Sequence, residues 1–120
     1  MITRDAIFAA KDLPLEPVEV PEWGGTVYVR TMSGVERDNF DTKVMRRSRN
    51  GADFDIKGLR VQVVILTACN EEGELLFSDK DNEELSKKNS LVLDRICNAA
   101  RRVNGILGGD EEALEDSKKN

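Results

Sequence analysis

A catalytic site needs a base, a nucleophile or a cluster of metal ligands, and this sequence is poor in all three. It has no histidine, the side chain that most often serves as general base and transition-metal ligand. Its two cysteines, Cys69 and Cys97, lie in apolar stretches. Their spacing matches no zinc motif, and two cysteines do not make a secreted disulfide framework. They read as buried free thiols in a reducing compartment. Asp79, Asp81 and Glu83 alternate but lack the glycine and remaining ligands of a calcium loop. They read instead as acids near the positive end of a helix. Gly24-Gly25 and Gly108-Gly109 lack the Lys-Ser/Thr partner of a phosphate loop. The serines have no histidine to activate them. These residues predict no enzyme, no cofactor and no metal.

The residue types that could do work are those of a binding surface. Trp23 is the only tryptophan, and tryptophan is enriched at binding hot spots. It also suits a ring packed over a hairpin, since large aromatics are mostly buried. Lys43, Arg46, Arg47 and Arg49 form a basic run. That run suits either the negative end of a helix dipole or an acidic partner. The net charge of −5 argues against a general nucleic-acid binder, which needs a basic face to displace counterions. The candidate partner contacts are Trp23, Tyr28, Arg30, Phe40, Arg46 and Arg47.

These residues need elements to hold them. At 120 residues the chain fits one domain with a real core. Its charged fraction of 34% exceeds the usual ~25%, which predicts a small core under a wet surface. No apolar run is long enough for a membrane span, and the N-terminus has no signal core. Thr3 caps a short helix to about Ala10, with Ile7 and Phe8 as a small apolar patch. Val18 and Val20 alternate with polar residues, as do Val27 and Val29, which predicts a hairpin with all four valines on one face. Pro17 and Pro21 suit an edge strand. The connection through Pro21-Glu22-Trp23-Gly24-Gly25 is longer than a two-residue turn.

Ser33 and Glu36 have capping-box spacing, predicting a helix from about Gly34 to Arg47 with a thin stripe of Val35, Phe40, Val44 and Met45. Residues Ile56 to Cys69, with Asp55 as a cap, read as a buried helix despite their β-branched content. Asn70 to Gly73 reads as a turn, and Leu75-Leu76-Phe77 as a short strand or extended segment. Ser78 or Asp79 caps a short helix to about Lys87. Asn89 or Ser90 caps a last helix with Val92, Ile96, Ala99, Ala100 and Val103 inward, stopped at Asn104-Gly105. The predicted fold class is α+β: an N-terminal β-hairpin packed with four to five helices. The predicted domain is 1–107, followed by an acidic tail, 108–120.

This pattern resembles the tail assembly chaperone family of long-tailed bacteriophages. Val20-Pro21-Glu22-Trp23-Gly24-Gly25 with Val27-Tyr28-Val29-Arg30 resembles the family's hairpin. Ser33-Gly34 with Glu36-Arg37-Asp38 resembles its next helix start. Glu71-Glu72-Gly73 with Leu76-Phe77 resembles its mid-chain turn. Leu93-Asp94-Arg95-Ile96 and Asn104-Gly105 resemble its last main helix and cap. Met32 and Val103 stand where leucine is expected. The resemblance covers residues 2–107. It implies a non-enzymatic role: binding and solubilising the tape measure protein and bringing tail tube subunits to it. It also implies a homo-oligomer, a longer frameshifted form, a place in the host cell cytoplasm and absence from the mature virion. Lys118-Lys119-Asn120 can be encoded by a run of adenines on which a ribosome could slip. The alternative reading is a structural tail or head-tail completion protein retained in the virion. A third, a small nucleic-acid-binding regulator using Arg46, Arg47 and Arg49, is disfavoured by charge.

Overall fold

The computed structural model describes residues 1–49 and 58–106, and side chains within 1–43 and 58–106. The chain runs α1 (Arg4–Ala9), β1 (Leu15–Val20), β2 (Gly25–Arg30), α2 (Gly34–Arg49), α3 (Leu59–Thr67), β3 (Ala68–Cys69), α4 (Asn82–Ser86) and α5 (Ser90–Asn104). Short 3₁₀ turns at Pro21–Trp23 and Asp79–Asp81 complete it. It is an α+β fold, as its alternations and stripes predict.

The hairpin follows its valines. β1 and β2 are antiparallel with Val18 opposite Val27 and Val20 opposite Gly25. Val18, Val20, Val27 and Val29 are all buried. Strand periodicity puts them on one face, and α5 lies against both strands. β1 is the edge strand, where Pro17 removes no ladder donor that the sheet needs. α5 brings Val92, Leu93, Ile96, Cys97, Ala99 and Ala100 into the core. α3 packs on α5 and β2, and Val61, Val63, Val64 and Ile65 are buried along it. That helix is enclosed on most sides, which explains why its sequence is apolar almost throughout.

The sheet has a third strand that the sequence reading did not predict. The apolar run expected to be helix up to Cys69 stops at Thr67, and Ala68–Cys69 joins β2 antiparallel, with Tyr28 opposite Cys69. Thr67 turns its hydroxyl back to the Val63 carbonyl at 2.7 Å. The next residues then fold back. Asn70 Oδ1 accepts from the amides of Glu72 at 2.9 Å and Glu74 at 3.0 Å. Gly73 takes φ of 86°, a left-handed conformation that glycine adopts without steric cost. Leu76 then donates to the Ala68 carbonyl at 3.0 Å. Two residues of strand are too few to leave a periodicity in the sequence.

Caps set the other boundaries. Thr3 Oγ1 accepts from the Ala6 amide at 3.1 Å. Ser33 and Glu36 form the expected reciprocal pair: Glu36 Oε1 accepts from the Ser33 amide at 2.8 Å, and Ser33 Oγ from the Glu36 amide at 3.3 Å. Asp81 accepts from the Ser78 amide at 2.9 Å, and Asn89 from the Leu91 amide at 2.8 Å. α5 ends at Gly105 with φ of 63°. The expected cap at Asp55, the start of the helix at Ile56 and the acidic tail 108–120 lie outside the described residues.

One polar side chain locks the ends together. Asn104, on the last turn of α5, accepts from the Met32 amide at 2.6 Å. It donates to the carbonyls of Arg30 at 3.2 Å and Ala100 at 2.8 Å. Its own carbonyl accepts from Arg37 of α2 at 2.9 Å. The end of β2, the start of α2 and the end of α5 therefore meet at one residue. Asn104→Ala removes three hydrogen bonds and strands the Met32 amide, so it should cost about 1–3 kcal/mol. A urea melt should show a lower midpoint at unchanged slope; an unchanged midpoint would contradict this role.

Candidate partner-binding surface

The surface around Trp23 is built by the hairpin tip. After Val20 the chain makes a single 3₁₀ turn over Pro21–Trp23. Proline pre-sets the first φ of that turn. Gly24, at φ of 86°, closes it by donating to the Pro21 carbonyl at 3.0 Å. Trp23 is half-buried and packs against the core. Its remaining surface faces a cleft of about 380 Å³, shared with Glu22, Phe77, Leu85 and Lys88. The tryptophan is thus both core and wall. One side of the ring packs on the core, as the core reading expects, and the other lines the cleft.

Glu22 fixes the tip to α5. Arg95 grips its carboxylate through two nitrogens, at 2.8 and 2.7 Å, and donates to the Glu19 carbonyl at 3.1 Å. The Arg95 hydrogen bonds and a backbone amide hold the Glu22 carboxyl down to about 2, against an ordinary 4.5. Glu22 raises Arg95 in turn. A bidentate pair of this kind fixes orientation. With both groups charged at neutral pH, it has no proton to exchange there.

The other candidate residues whose side chains are described do not gather around Trp23. Tyr28 lies on β2 beside Cys69, half-buried. Arg30 is committed within the fold: it donates to the Gly73 carbonyl at 3.1 Å and to the Glu36 carboxylate at 2.5 Å. It ties the mid-chain turn to the start of α2. Phe40 requires correction. It is 3% exposed in the core, because the inward face of α2 needs a large apolar side chain and its neighbour Val35 is 67% exposed. Arg46 and Arg47 belong to α2, and their side chains lie outside the described residues. The sequence reading missed Phe77 and Leu85 as walls of the cleft. Leu85 is the one large apolar residue of α4, and that isolation was a signal available in the sequence.

The cysteine reading holds in geometry. Cys69 and Cys97 are buried and unpaired, and burial is the main cause that pushes both thiols up. Both stay protonated at neutral pH, and the thiol is a poor nucleophile and ligand. No helix of the described residues is long and apolar enough to cross a membrane.

A family model described as "Phage tail assembly chaperone" matches residues 4–119. The chain belongs to the phage tail assembly chaperone family. The resemblance read from the hairpin and helix caps is therefore the correct one, and family membership implies a non-enzymatic role. The fold is similar to that in "Structure of bacteriophage HK97 tail assembly chaperone", with a TM-score of 0.57 and 24% identity over 82% of this chain and 90% of that one. At that identity the likeness speaks for the fold. Comparison with curated proteins finds no match.

In this tail assembly chaperone, the tip makes two checkable claims. Trp23→Ala should lower stability by about 2 kcal/mol, less than the ~3–5 of a fully buried aromatic, as read by thermal melting. A melting temperature identical to wild type would mean that the ring contributes nothing to the core. The second claim concerns Glu22. Its folded value lies below its unfolded one, so its contribution is complete above about 4.5 and is lost as pH falls toward about 2. Arg95→Gln should return the Glu22 carboxyl toward 4.5 in an NMR titration. The stability difference between wild type and this variant should then close between pH 5 and pH 2. A gap independent of pH would overturn the assignment.

Proposed function

We propose that this chaperone binds the tape measure protein of its phage, keeps it soluble and brings tail tube subunits to it. The match to the family over residues 4–119 carries this reading. The physics of the surface supports it. A charged fraction of 34% and a net charge of −5 favour solubility. Single apolar side chains stand out from that surface, among them Val35 at 67% and Leu91 at 70% exposure. An amphipathic helix, the form expected of a long helical partner, is recognised through a few spaced apolar anchors. The work is done in the host cell cytoplasm, and the protein leaves before the virion is complete. It acts as a homo-oligomer, and a longer frameshifted form accompanies it. Nucleic acid and membrane are not its partners.

Co-expression with the tape measure protein of the same phage tests this reading. That protein should move from the pellet to the soluble fraction and co-elute with the chaperone on a sizing column. The complex, but not the chaperone alone, should then retain added tail tube protein. A tape measure protein that stays insoluble would remove the proposal. Mass spectrometry of purified virions should find no copy of this chain. Stoichiometric copies there would favour the retained structural protein instead.

A further inference from the structure

Two features of the described chain are left without a partner, and they complement each other. The first is α1. It has six residues and buries none of them. Ile7 is 51% exposed, Phe8 72%, and Ile2 just before the helix 66%. Helices shorter than ~12–15 residues are marginal alone, and most are held by packing of an apolar face. Among the described residues this helix has no such packing. Arg4 sits 4.8 Å over the Phe8 ring and covers one side of it.

The second feature is the cleft at the hairpin tip, walled by Trp23, Phe77 and Leu85. Its 380 Å³ lies at the low end of the ~300–1,000 Å³ of binding pockets, a size for one or two side chains. The chain's own α1 is placed elsewhere. It leads into β1 at Leu15, whereas the tip follows the far end of β1 at Val20. Six strand residues separate them by roughly 20 Å.

We propose that α1 is a docking arm whose Phe8 and Ile7 enter the Trp23–Phe77–Leu85 cleft of a second copy of this chain. The inference rests on the self-association proposed above and says how it is made. Charge fits in one sense, Asp5 of the arm against Lys88 of the cleft. The arm carries Arg4 and Asp5 beside its apolar residues, paired only loosely with each other at 3.5 Å and largely exposed. The rim carries Lys88, and Glu22 beside it is already engaged by Arg95. Exchange of arms in both directions covers two arms and two clefts. Since Phe8 alone offers roughly 150 Å², the sum is on the order of 1,000 Å², the threshold of a specific interface. The other simple route to self-association, joining of sheet edges, is obstructed. Pro17 lies in the outer strand β1 and has no N–H to offer a second sheet.

Light scattering behind a sizing column tests the arm, with wild type compared to the double variant Ile7→Asp, Phe8→Asp. Because α1 buries nothing, the variant should keep its circular dichroism spectrum. Its dissociation midpoint should shift at least tenfold upward in concentration. In a second arm of the experiment, a Phe8→Cys chain mixed with a Lys88→Cys chain and oxidised with diamide should give a cross-linked pair on a non-reducing gel. A folded variant as oligomeric as wild type would overturn the inference while leaving self-association intact. A wild type that stays monomeric at every concentration would remove self-association itself. Closure of a doubly substituted chain at monomer size would place the arm in its own cleft. Loss of tape measure binding at unchanged oligomeric state would assign the arm to that partner. Either result overturns the proposal.

Discussion

The fold depends on one burial, that of the valine face of the hairpin under α5. Val18, Val20, Val27 and Val29 are between 0% and 9% exposed. Each buried valine is worth about 1.5–2 kcal/mol, so the four together contribute about 6–8 kcal/mol. That is an upper estimate, because the unfolded chain already hides some of this surface. It is still comparable to the whole net stability of a small domain, ~5–15 kcal/mol. Neither partner is stable alone. A two-stranded hairpin is marginal in water, and α5 without the sheet would expose Val92, Ile96 and Ala100. The remaining elements serve this contact: α3 closes its flank, and β3 gives the hairpin a third strand.

Surface ion pairs then fix how the pieces sit, with little effect on how strongly they hold. Glu22 with Arg95, Glu16 with Arg102 and Arg60 with Asp94 each join separate elements. All are partly exposed, and exposed pairs contribute little to stability. Their use is angular. Arg95 sets the hairpin tip against α5, and Arg102 sets the root of β1 against the end of the same helix. With Asn104 at the last turn, α5 is tied to the sheet at three points along its length. The tip that carries Trp23 is therefore rigid at its base, although it projects beyond the strands.

Much of this was legible in the sequence because it is written in local signals. The valine alternation gave the hairpin and its inward face. The Ser33–Glu36 spacing gave the start of α2, and Asn104-Gly105 gave the end of α5. What was not legible is what depends on long-range geometry. β3 is two residues long and exists because β2 offers an unpaired edge to the end of α3. Phe40 sits in a helix that reads as mostly wet, and its ring turns inward while Val35 does not. Asn104 was readable as a stop signal, yet its side chain reaches back 72 residues to Met32, which no local pattern records. Trp23 was readable as either core or contact. A ring at a hairpin tip has two sides, and the fold uses one of them.

The distribution of apolar surface constrains how such a protein can hold a partner. Among the described residues, the exposed large apolar side chains are scattered singly or in short pairs: Met1 with Ile2, Ile7 with Phe8, Val35, Leu75 with Leu76, and Leu91. Each is too small for a durable interface, since specific contacts bury ~1,200–2,000 Å² in total. A chaperone has to release what it holds, and weak single contacts release quickly, because affinity differences lie mostly in off-rates. Holding a long partner nonetheless requires many such contacts acting at once. Linked copies supply that, because each contact after the first becomes effectively intramolecular. Separation of the linked copies would then weaken every contact together. For a chain with this surface, the self-association proposed above would be the physical condition for strong and reversible binding.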